Sequence, residues 1–448
     1  MVKYYKFLIA AFLLLVVFLG YINYPKLNII TGFAAKNACS CIFEAGRDLE
    51  LVETTDNNFD PVSYATNKVN YQHKTVTSTI IGLKERKAVY NKGIGCILLP
   101  EEKTEEEISI PRPARQFHPK SLPYPYGNLD PVDSTFANIN YIMLEQAINN
   151  AFDPNEEDIK RTRAVVVLYK GHLIAEKYGP GINSDTKLLG WSMTKSITSA
   201  ILGILEKQGK ISLYQDELFE SWSKDERSAI TLDNLLQMNS GLEWEEDYST
   251  ISDVTRMLFQ EENMAGVQLS KPLTGIRGVT WNYSSGTTNL LSAFIRNQFK
   301  THQEYLDFWY KELIDKISMH SMTLEPDLAG NYVCSSYSWA TARDWAKFGL
   351  LYLNKGSWHG EQLFKESWVD YTTRPANGSK GKYGAHFWLN AGGKYPNIPT
   401  DLYSCNGFQG QHVFIIPSKD LVVVRFGLAE HPQFNVDTFL YEILETIE

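Results

Sequence analysis

The sequence predicts an α+β protein built on an antiparallel sheet flanked by helices, and three patterns carry that prediction. The run Ala164-Val165-Val166-Val167-Leu168-Tyr169 and the run His172-Leu173-Ile174-Ala175-Glu176 flank Lys170-Gly171, which is a β-hairpin signal. Near the C-terminus His412 to Pro417 and Leu421 to Phe426, joined by Ser418-Lys419-Asp420, make a second hairpin. Between the hairpins the apolar period becomes helical. After Trp191, the residues Ile197, Ala200, Ile201, Ile204 and Leu205 share one face until Gly209, where the helix should end. Further helices are expected around Leu232 to Met238, Asn289 to Phe299, His302 to Lys316 and Thr341 to Asn354, with a closing helix from Asn435. Strands at both ends with helices between them place the terminal strands as partners in one sheet.

The 448 residues are 44% hydrophobic and 21% charged, an ordinary globular composition with ample apolar surface to bury. A net charge of −9 and the lack of a long Lys/Arg block leave no basic field for a phosphate backbone, which argues against nucleic-acid binding. The first residues differ from the rest. Lys3 and Lys6 precede an apolar run from Phe7 to Leu19 that continues past Gly20 to Tyr21 and Ile22, with no small-residue cleavage site just after it. Residues 1–24 therefore fit a membrane signal anchor better than a cleaved signal peptide. Either reading puts the remainder outside the cytoplasm, in the periplasm of a bacterium or secreted.

Residues 25–133 carry short strand-like runs (Thr75 to Leu83, Ile94 to Leu99), an acidic run Glu101 to Glu107 and a proline-rich stretch Pro111 to Pro125. They are expected to form a small N-terminal region and connector, leading into a main domain over 134–448. Of five cysteines, Cys96 can pair with Cys39 or Cys41, while Cys334 and Cys405 lie far along the chain. Spacing does not choose between the pairings, and small buried apolar residues are an equal reading.

The spacing Ser-x-x-Lys occurs at Ser184/Lys187, Ser192/Lys195, Ser221/Lys224 and Ser379/Lys382, so spacing alone identifies nothing. Only Ser192 opens an amphipathic helix. There the three-residue spacing puts Lys195 on the same face, the helix dipole favours alkoxide character, and the Ser192 N–H can face an oxyanion. Such a pair needs Lys195 desolvated to act as a neutral base; otherwise Ser192 is a helix cap and Lys195 a solvated residue. A second segment, Trp281-Asn282-Tyr283-Ser284-Ser285-Gly286, offers a phenol that a neighbouring ammonium draws toward phenolate, with Ser285 in reach of the same network. Among 25 tyrosines, a single one is more often packing than chemistry. A third, Tyr403 to Gln411, holds Gly407 and Gly410, either a close approach for substrate or a bulge at the strand entry. No Gly-x-Ser-x-Gly elbow, His-Glu-x-x-His or close His pair is present, so the chemistry calls for no metal and no cofactor.

Taken in order, these segments resemble the serine β-lactamase and penicillin-binding-protein superfamily, in particular its class C-like esterase and 6-aminohexanoate-dimer hydrolase branch. The resemblance runs from about Arg163 to the C-terminus. It rests on Gly190-Trp191-Ser192-Met193-Thr194-Lys195-Ser196, Ile230-Thr231-Leu232, Leu235 to Leu242, Tyr283-Ser284-Ser285-Gly286, Ala340 to Trp345 and Gly407 to Gln411. It implies an α/β sandwich, a mixed and mainly antiparallel sheet flanked by helices, with a helical subdomain and the site between them. By the same likeness Ser192 attacks an acyl carbon, Lys195 and Tyr283 handle the proton, and the N–H groups of Ser192 and Phe408 form the oxyanion hole beside Gly407 and Ser285. Ser285 stands where β-lactamases usually carry Asn, and Cys405-Asn406-Gly407 where they carry a Lys/His-Thr/Ser-Gly triplet. Both departures favour esters and amides over β-lactams.

The expected function is a serine hydrolase that cleaves an ester or amide bond of a small-molecule or peptide-like substrate through an acyl-enzyme on Ser192. The alternative is a slow penicillin-binding-like module that binds or senses a cell-wall peptide or acyl ligand. A purely structural envelope protein would require Ser192, Lys195 and Tyr283 to lie apart in the fold. Substrate identity rests with loops such as Glu243 to Lys271, whose shape the pattern does not specify.

Overall fold

The computed structural model describes residues 4–448 apart from 6–7, 10, 13, 15–17, 19, 21–22, 118–121, 128 and 155–158. The expected anchor run Phe7 to Leu19 therefore lies largely outside the described residues. Among those described, no helix is long and apolar enough to cross a membrane. The chain divides into two compact units, Met1–Asn91 with Cys96–Ile108 and Glu245–Glu262, and Lys92–Gly95 with Ser109–Trp244 and Asn263–Glu448.

In the first unit α1 (Lys26–Cys39) lies on a four-stranded sheet ordered β1 (Thr66–Asn70), β2 (Thr75–Ile80), β3 (Leu83–Asn91), β4 (Gly95–Leu98). Small side chains let the helix approach closely: Thr31, Ala34, Ala35 and Ala38 are fully buried. Arg86 crosses beneath it, donating to the carbonyls of Leu99, Asn28 and Phe259. The strand-like run Thr75 to Leu83 is broken by a turn, because Ile81 (φ 51°) and Gly82 (φ 72°) both take left-handed backbone and reverse the chain into β3. Of the two cysteine pairings left open by spacing, the disulfide is Cys39–Cys96; Cys41 is buried outside the disulfide, and Arg47 donates to its sulfur. The stretch read as a loop from Glu243 contains two helices, Asp253–Gln260 in this unit and Met264–Leu269 in the second, each started by a side-chain cap, Ser252 on the Thr255 N–H and Asn263 on the Gly266 N–H.

The second unit holds α2 (Tyr141–Asn150), β5 (Thr162–Tyr169), β6 (His172–Tyr178), α3 (Thr194–Lys207), α4 (Leu232–Leu236), α5 (Ser285–Arg296), α6 (His302–Trp309), α7 (Ala342–Leu353) and α8 (Val436–Leu444). Its short strands are β7 (Leu188–Leu189), β8 (Thr323–Leu324), β9 (Ser338–Ala340) and β10 (Trp388–Leu389), and its main strands continue with β11 (Tyr403–Gly407), β12 (Gln411–Ile416) and β13 (Leu421–Gly427). The six-stranded sheet is ordered β10-β11-β12-β13-β5-β6, and each neighbouring pair is antiparallel. As expected from the two hairpins, the terminal strands meet in the middle: β13 pairs β5 with Val423 opposite Val167 and Val424 opposite Val166.

Helices cover both faces of this sheet. Val166, Leu168, Val422 and Val424 join one core with residues of α3 and α7, whereas Val165, Val167, Val423 and Phe414 join another with residues of α2 and α8. Burial on both faces is why β5 and β13 read as continuous apolar runs rather than alternating ones. The helix after Trp191 stops at Lys207, two residues before Gly209 (φ 69°). The stretch from His302 is α6 followed by a π-turn, Tyr310–Ile314.

The Cys39–Cys96 bond closes a loop with a sequence separation of 57 residues. On chain entropy, its loss should cost about 4 kcal/mol. Replacing Cys96→Ser should speed amide hydrogen exchange in β1 to β3 by about a thousandfold where exchange requires opening of the unit. Unchanged exchange would show that the crosslink does not restrain the unfolded chain.

Candidate active site

The site begins with a turn that few residues adopt. Trp191 has φ 47°, left-handed for a bulky side chain, and is nearly buried, so the strain is held by its surroundings. Thr194 Oγ1 donates to the Trp191 carbonyl at 2.7 Å and meets Ser338 Oγ at 2.6 Å, while the Gly190 N–H donates to the Ser338 carbonyl at 2.8 Å. A Cβ on Gly190 would lie 2.7 Å from the Trp345 ring, so only glycine fits there. This turn delivers half-buried Ser192 just ahead of α3.

Lys195, one turn on, is 1% exposed, the desolvation that the base reading required. Its Nζ lies 3.0 Å from each of three oxygens, Ser192 Oγ, Ser285 Oγ and the Ser335 carbonyl. It also sits over the Tyr283 ring, 4.9 Å from the centroid. Ser285 and Tyr283 are brought there by the start of α5. Ser284 caps that helix by accepting from the Thr287 N–H, and Asn282 is tied to Met238 and Trp244 through its N–H (2.8 Å) and Nδ2 (2.9 Å). Tyr283 packs against Tyr383 and Trp388, at 5.7 and 5.2 Å between ring centroids.

The end of β11 completes the arrangement. A Cβ on Gly407 would lie 2.2 Å from the Gly190 carbonyl, so the strand runs directly against the Ser192 turn and must be glycine there. The next residue, Phe408, packs edge-on against Trp191 at 5.6 Å. Its carbonyl accepts from Gln411 Nε2 at 2.9 Å, and the same amide donates to the Gly427 carbonyl at 2.6 Å. Beneath lies buried Arg425, donating to the carbonyls of Gly410, Ala429 and Lys160. Thus the turn after Gly407 is fixed by side chains reaching from β12 and β13.

Ser192, Lys195, Tyr283, Ser285, Gly407 and Phe408, which the sequence singled out from three distant segments, are therefore brought together. The other Ser-x-x-Lys pairs go elsewhere: Lys187 bonds Thr323 at 3.2 Å, and Ser379 bonds the Tyr383 carbonyl at 3.1 Å. Sequence reading missed Ser335, whose role is a backbone carbonyl and leaves no side-chain signal. It also missed Asn289, whose Oδ1 accepts from the Ser335 N–H at 3.1 Å and holds that carbonyl in place. A third omission is His386, with Nδ1 on the Leu236 carbonyl at 2.8 Å and Nε2 on Thr288 Oγ1 at 3.0 Å. Burial, reinforced by the Lys195 charge, pushes its pKa down to about 3, so it is a neutral, fully bonded wall. At Cys405 burial pushes the thiol up to about 12, leaving no charge at that position at neutral pH.

A serine and a buried lysine one helical turn apart, joined by a hydroxyl from a second helix and a glycine-ended strand, define an active-site serine hydrolase. The comparisons agree. The family described as Beta-lactamase matches residues 155–444, and the chain belongs to that family. A 6-aminohexanoate-dimer hydrolase of Paenarthrobacter ureafaciens is 24% identical over 296 residues, covering 59% of this chain and 72% of that one. Among solved structures, EstCE1, a hydrolase with promiscuous acyltransferase activity, aligns with TM-score 0.53 at 12% identity over 68% of this chain and 97% of its own. A D-stereospecific amidohydrolase from Streptomyces sp. aligns with TM-score 0.51 at 14% identity, covering 67% and 97%. At such identities these structures speak for the fold alone.

His386 makes acid stability a test of this wall. Its folded pKa is below the ordinary 6.5, so the unfolded chain takes up a proton as pH falls through 6.5 while the folded one does not until about 3. Stability contributed by the neutral ring is complete above 6.5 and should fall by on the order of 5 kcal/mol across that window. Compared with wild type, His386→Gln should show a flatter fall of the unfolding midpoint between pH 6.5 and 4. Parallel slopes would refute a ring held neutral by the fold.

Proposed function

We propose that this protein hydrolyses an ester or amide bond through an acyl-enzyme on Ser192. The observation that carries the proposal is the 3.0 Å contact between Lys195 Nζ and Ser192 Oγ inside a water-excluded network. In its deprotonated form Lys195 takes the Ser192 hydroxyl proton as Oγ attacks the acyl carbon. The negative charge that develops on the carbonyl oxygen is met by the N–H groups of Ser192 and Phe408, which Gln411 and the Gly190–Gly407 contact keep fixed. Lys195, with Tyr283 beside it, returns the proton to the leaving alcohol or amine. Water, deprotonated by the same groups, then attacks the acyl-serine, releasing the acid and restoring Oγ–H. Ser285 and the Ser335 carbonyl hold the amine in place while its proton load changes.

The substrate class follows from what adjoins the pair. Trp191, Phe408, Tyr283 and Trp388 present aromatic surface, and neutral Cys405 stands where a carboxylate-binding cation would be expected. A small ester or amide with an uncharged acyl portion fits these surroundings. We further propose that the enzyme works outside the cytoplasm, held at the membrane by its N-terminal segment. A structural disulfide suits an oxidising compartment, and the described side chains of Leu8, Phe12, Leu14 and Phe18 are exposed and apolar.

The test is hydrolysis of a short-chain p-nitrophenyl ester by the purified full-length protein. Ser192→Ala and Lys195→Met should each lower kcat/KM by about a thousandfold or more. Equal rates in wild type and Ser192→Ala would sink the proposal. Intact-mass measurement during turnover should find an acyl adduct on wild type and none on Ser192→Ala.

A second expectation concerns the oxyanion turn. Removing the amide clamp with Gln411→Leu should lower kcat by about tenfold to a hundredfold with KM nearly unchanged, since the donors act on charge formed in the transition state. A rise in KM at constant kcat would instead assign Gln411 to ground-state binding.

A further inference from the structure

We propose that the β2–β3 hairpin tip and the pocket beside it form a lipid-binding element, seated on the same phospholipid bilayer as the N-terminal segment. This rests on the membrane-held placement proposed above and extends it to a surface of the folded first unit.

Three observations converge on it. The hairpin turns through Ile81-Gly82, and there Ile81 is 92% exposed and Leu83 49%. A two-residue turn of this kind is normally met by Asn-Gly or Asp-Gly. At the tip Ile81 buries almost nothing in this unit and Leu83 only about half of itself, so both supply apolar surface to something outside it.

The second observation is position. Lys84 Nζ lies 5.0 Å over the Tyr24 ring, and Arg86 donates to the Asn28 carbonyl, so the tip stands where the N-terminal segment enters α1. The Tyr24 N–H donates to the Gly20 carbonyl at 2.9 Å. With the N-terminal segment held at the membrane as proposed above, the tip beside Tyr24 lies next to the interface.

The third is chemistry. A pocket of about 340 Å³ is lined by Tyr24, Asn28, Lys84, Arg86, Glu101 and Gln260. It presents both signs, with Lys84 and Glu101 paired at 2.7 Å across its mouth. Asn28 is 8% exposed, and its Oδ1 has no hydrogen-bond partner, an acceptor waiting for an N–H. A phosphate joined to a primary ammonium complements this set: the phosphate takes Lys84 with the fixed charge of Arg86 behind it, and the ammonium takes Glu101 and Asn28 Oδ1. The occupant is therefore the headgroup of a phosphatidylethanolamine-type lipid, with Ile81 and Leu83 dipping beside it.

The experiment uses full-length protein reconstituted into phosphatidylethanolamine/phosphatidylglycerol vesicles that carry shallow nitroxide-labelled lipid. An environment-sensitive fluorophore is placed by Ile81→Cys, by Phe12→Cys in the N-terminal segment, or by Tyr71→Cys at the opposite end of β2; the native cysteines outside the disulfide, Cys41, Cys334 and Cys405, are buried and should not compete. Labels at 81 and 12 should be quenched at least twofold more than the label at 71. Quenching at 12 with none above background at 81 would overturn the hairpin element while leaving the anchored placement intact. Loss at both would overturn the placement and the hairpin with it. Replacing phosphatidylethanolamine by phosphatidylcholine, which has no N–H donor, should reduce quenching at 81 at least twofold. Undiminished quenching would overturn the headgroup assignment.

Discussion

A lysine amine taken out of water must be fully bonded or it destabilises everything around it, and the second unit is arranged around meeting that demand for Lys195. Its three oxygen partners come from three places in the chain: the strained turn before α3, the first residue of α5, and the segment between β8 and β9. Each partner is itself fixed, Ser192 by the Gly190–Ser338 contact, Ser285 by the capped start of α5, and the Ser335 carbonyl by Asn289. The burial that makes Lys195 costly is also what makes it useful. In the proposed reaction, a water-excluded site lets the amine exchange its proton with Ser192 rather than with solvent, and the charges that form are felt at full strength.

The sheet supplies the other half. Its central strands are apolar on both faces and form the rigid layer on which α3 and α7 lie, while β11, which ends beside the Ser192 turn, has the short β10 as its outer neighbour. Gly407 can approach Gly190 only because neither has a side chain, and this contact sets the distance between the Ser192 turn and the turn at Phe408. Arg425 and Gln411 then convert a flexible strand connection into a fixed one by occupying its carbonyls. Arg425 is a charge deep in a sheet, tolerated because five oxygen contacts and the Phe434 ring surround it.

The departures from the β-lactamase pattern have a common physical sense. Serine in place of asparagine at 285 keeps a hydroxyl for Lys195 and gives up an amide. Cysteine in place of a cation at 405 turns that position into core, its thiol buried and uncharged beside Ser196. On the proposed mechanism the groups that move the proton are kept, while no cation stands at 405 for a substrate carboxylate.

Much of this was legible in the sequence. Period and hairpin turns located β5, β6, β12, β13 and the principal helices, because two-face burial and helical amphipathicity leave local signals. The pairing of the terminal strands followed from their order. Ser192 was separable from three other Ser-x-x-Lys serines because it alone heads an amphipathic helix, and Tyr283 and Gly407 were marked by motif resemblance. Where the reading stopped, the determinants were non-local or carried no side-chain signal. Whether Cys39 or Cys41 pairs with Cys96 depends on how α1 rolls on its sheet, and the Ser335 carbonyl is invisible in any residue pattern. The two helices between Glu245 and Leu269 show only short caps in the sequence. By itself, then, the sequence determined the residue types and the local elements that carry them. That an amine, two hydroxyls and a carbonyl from distant segments meet within 3.0 Å was decided by tertiary packing alone, since only the folded core excludes the water that would otherwise bond each of them separately.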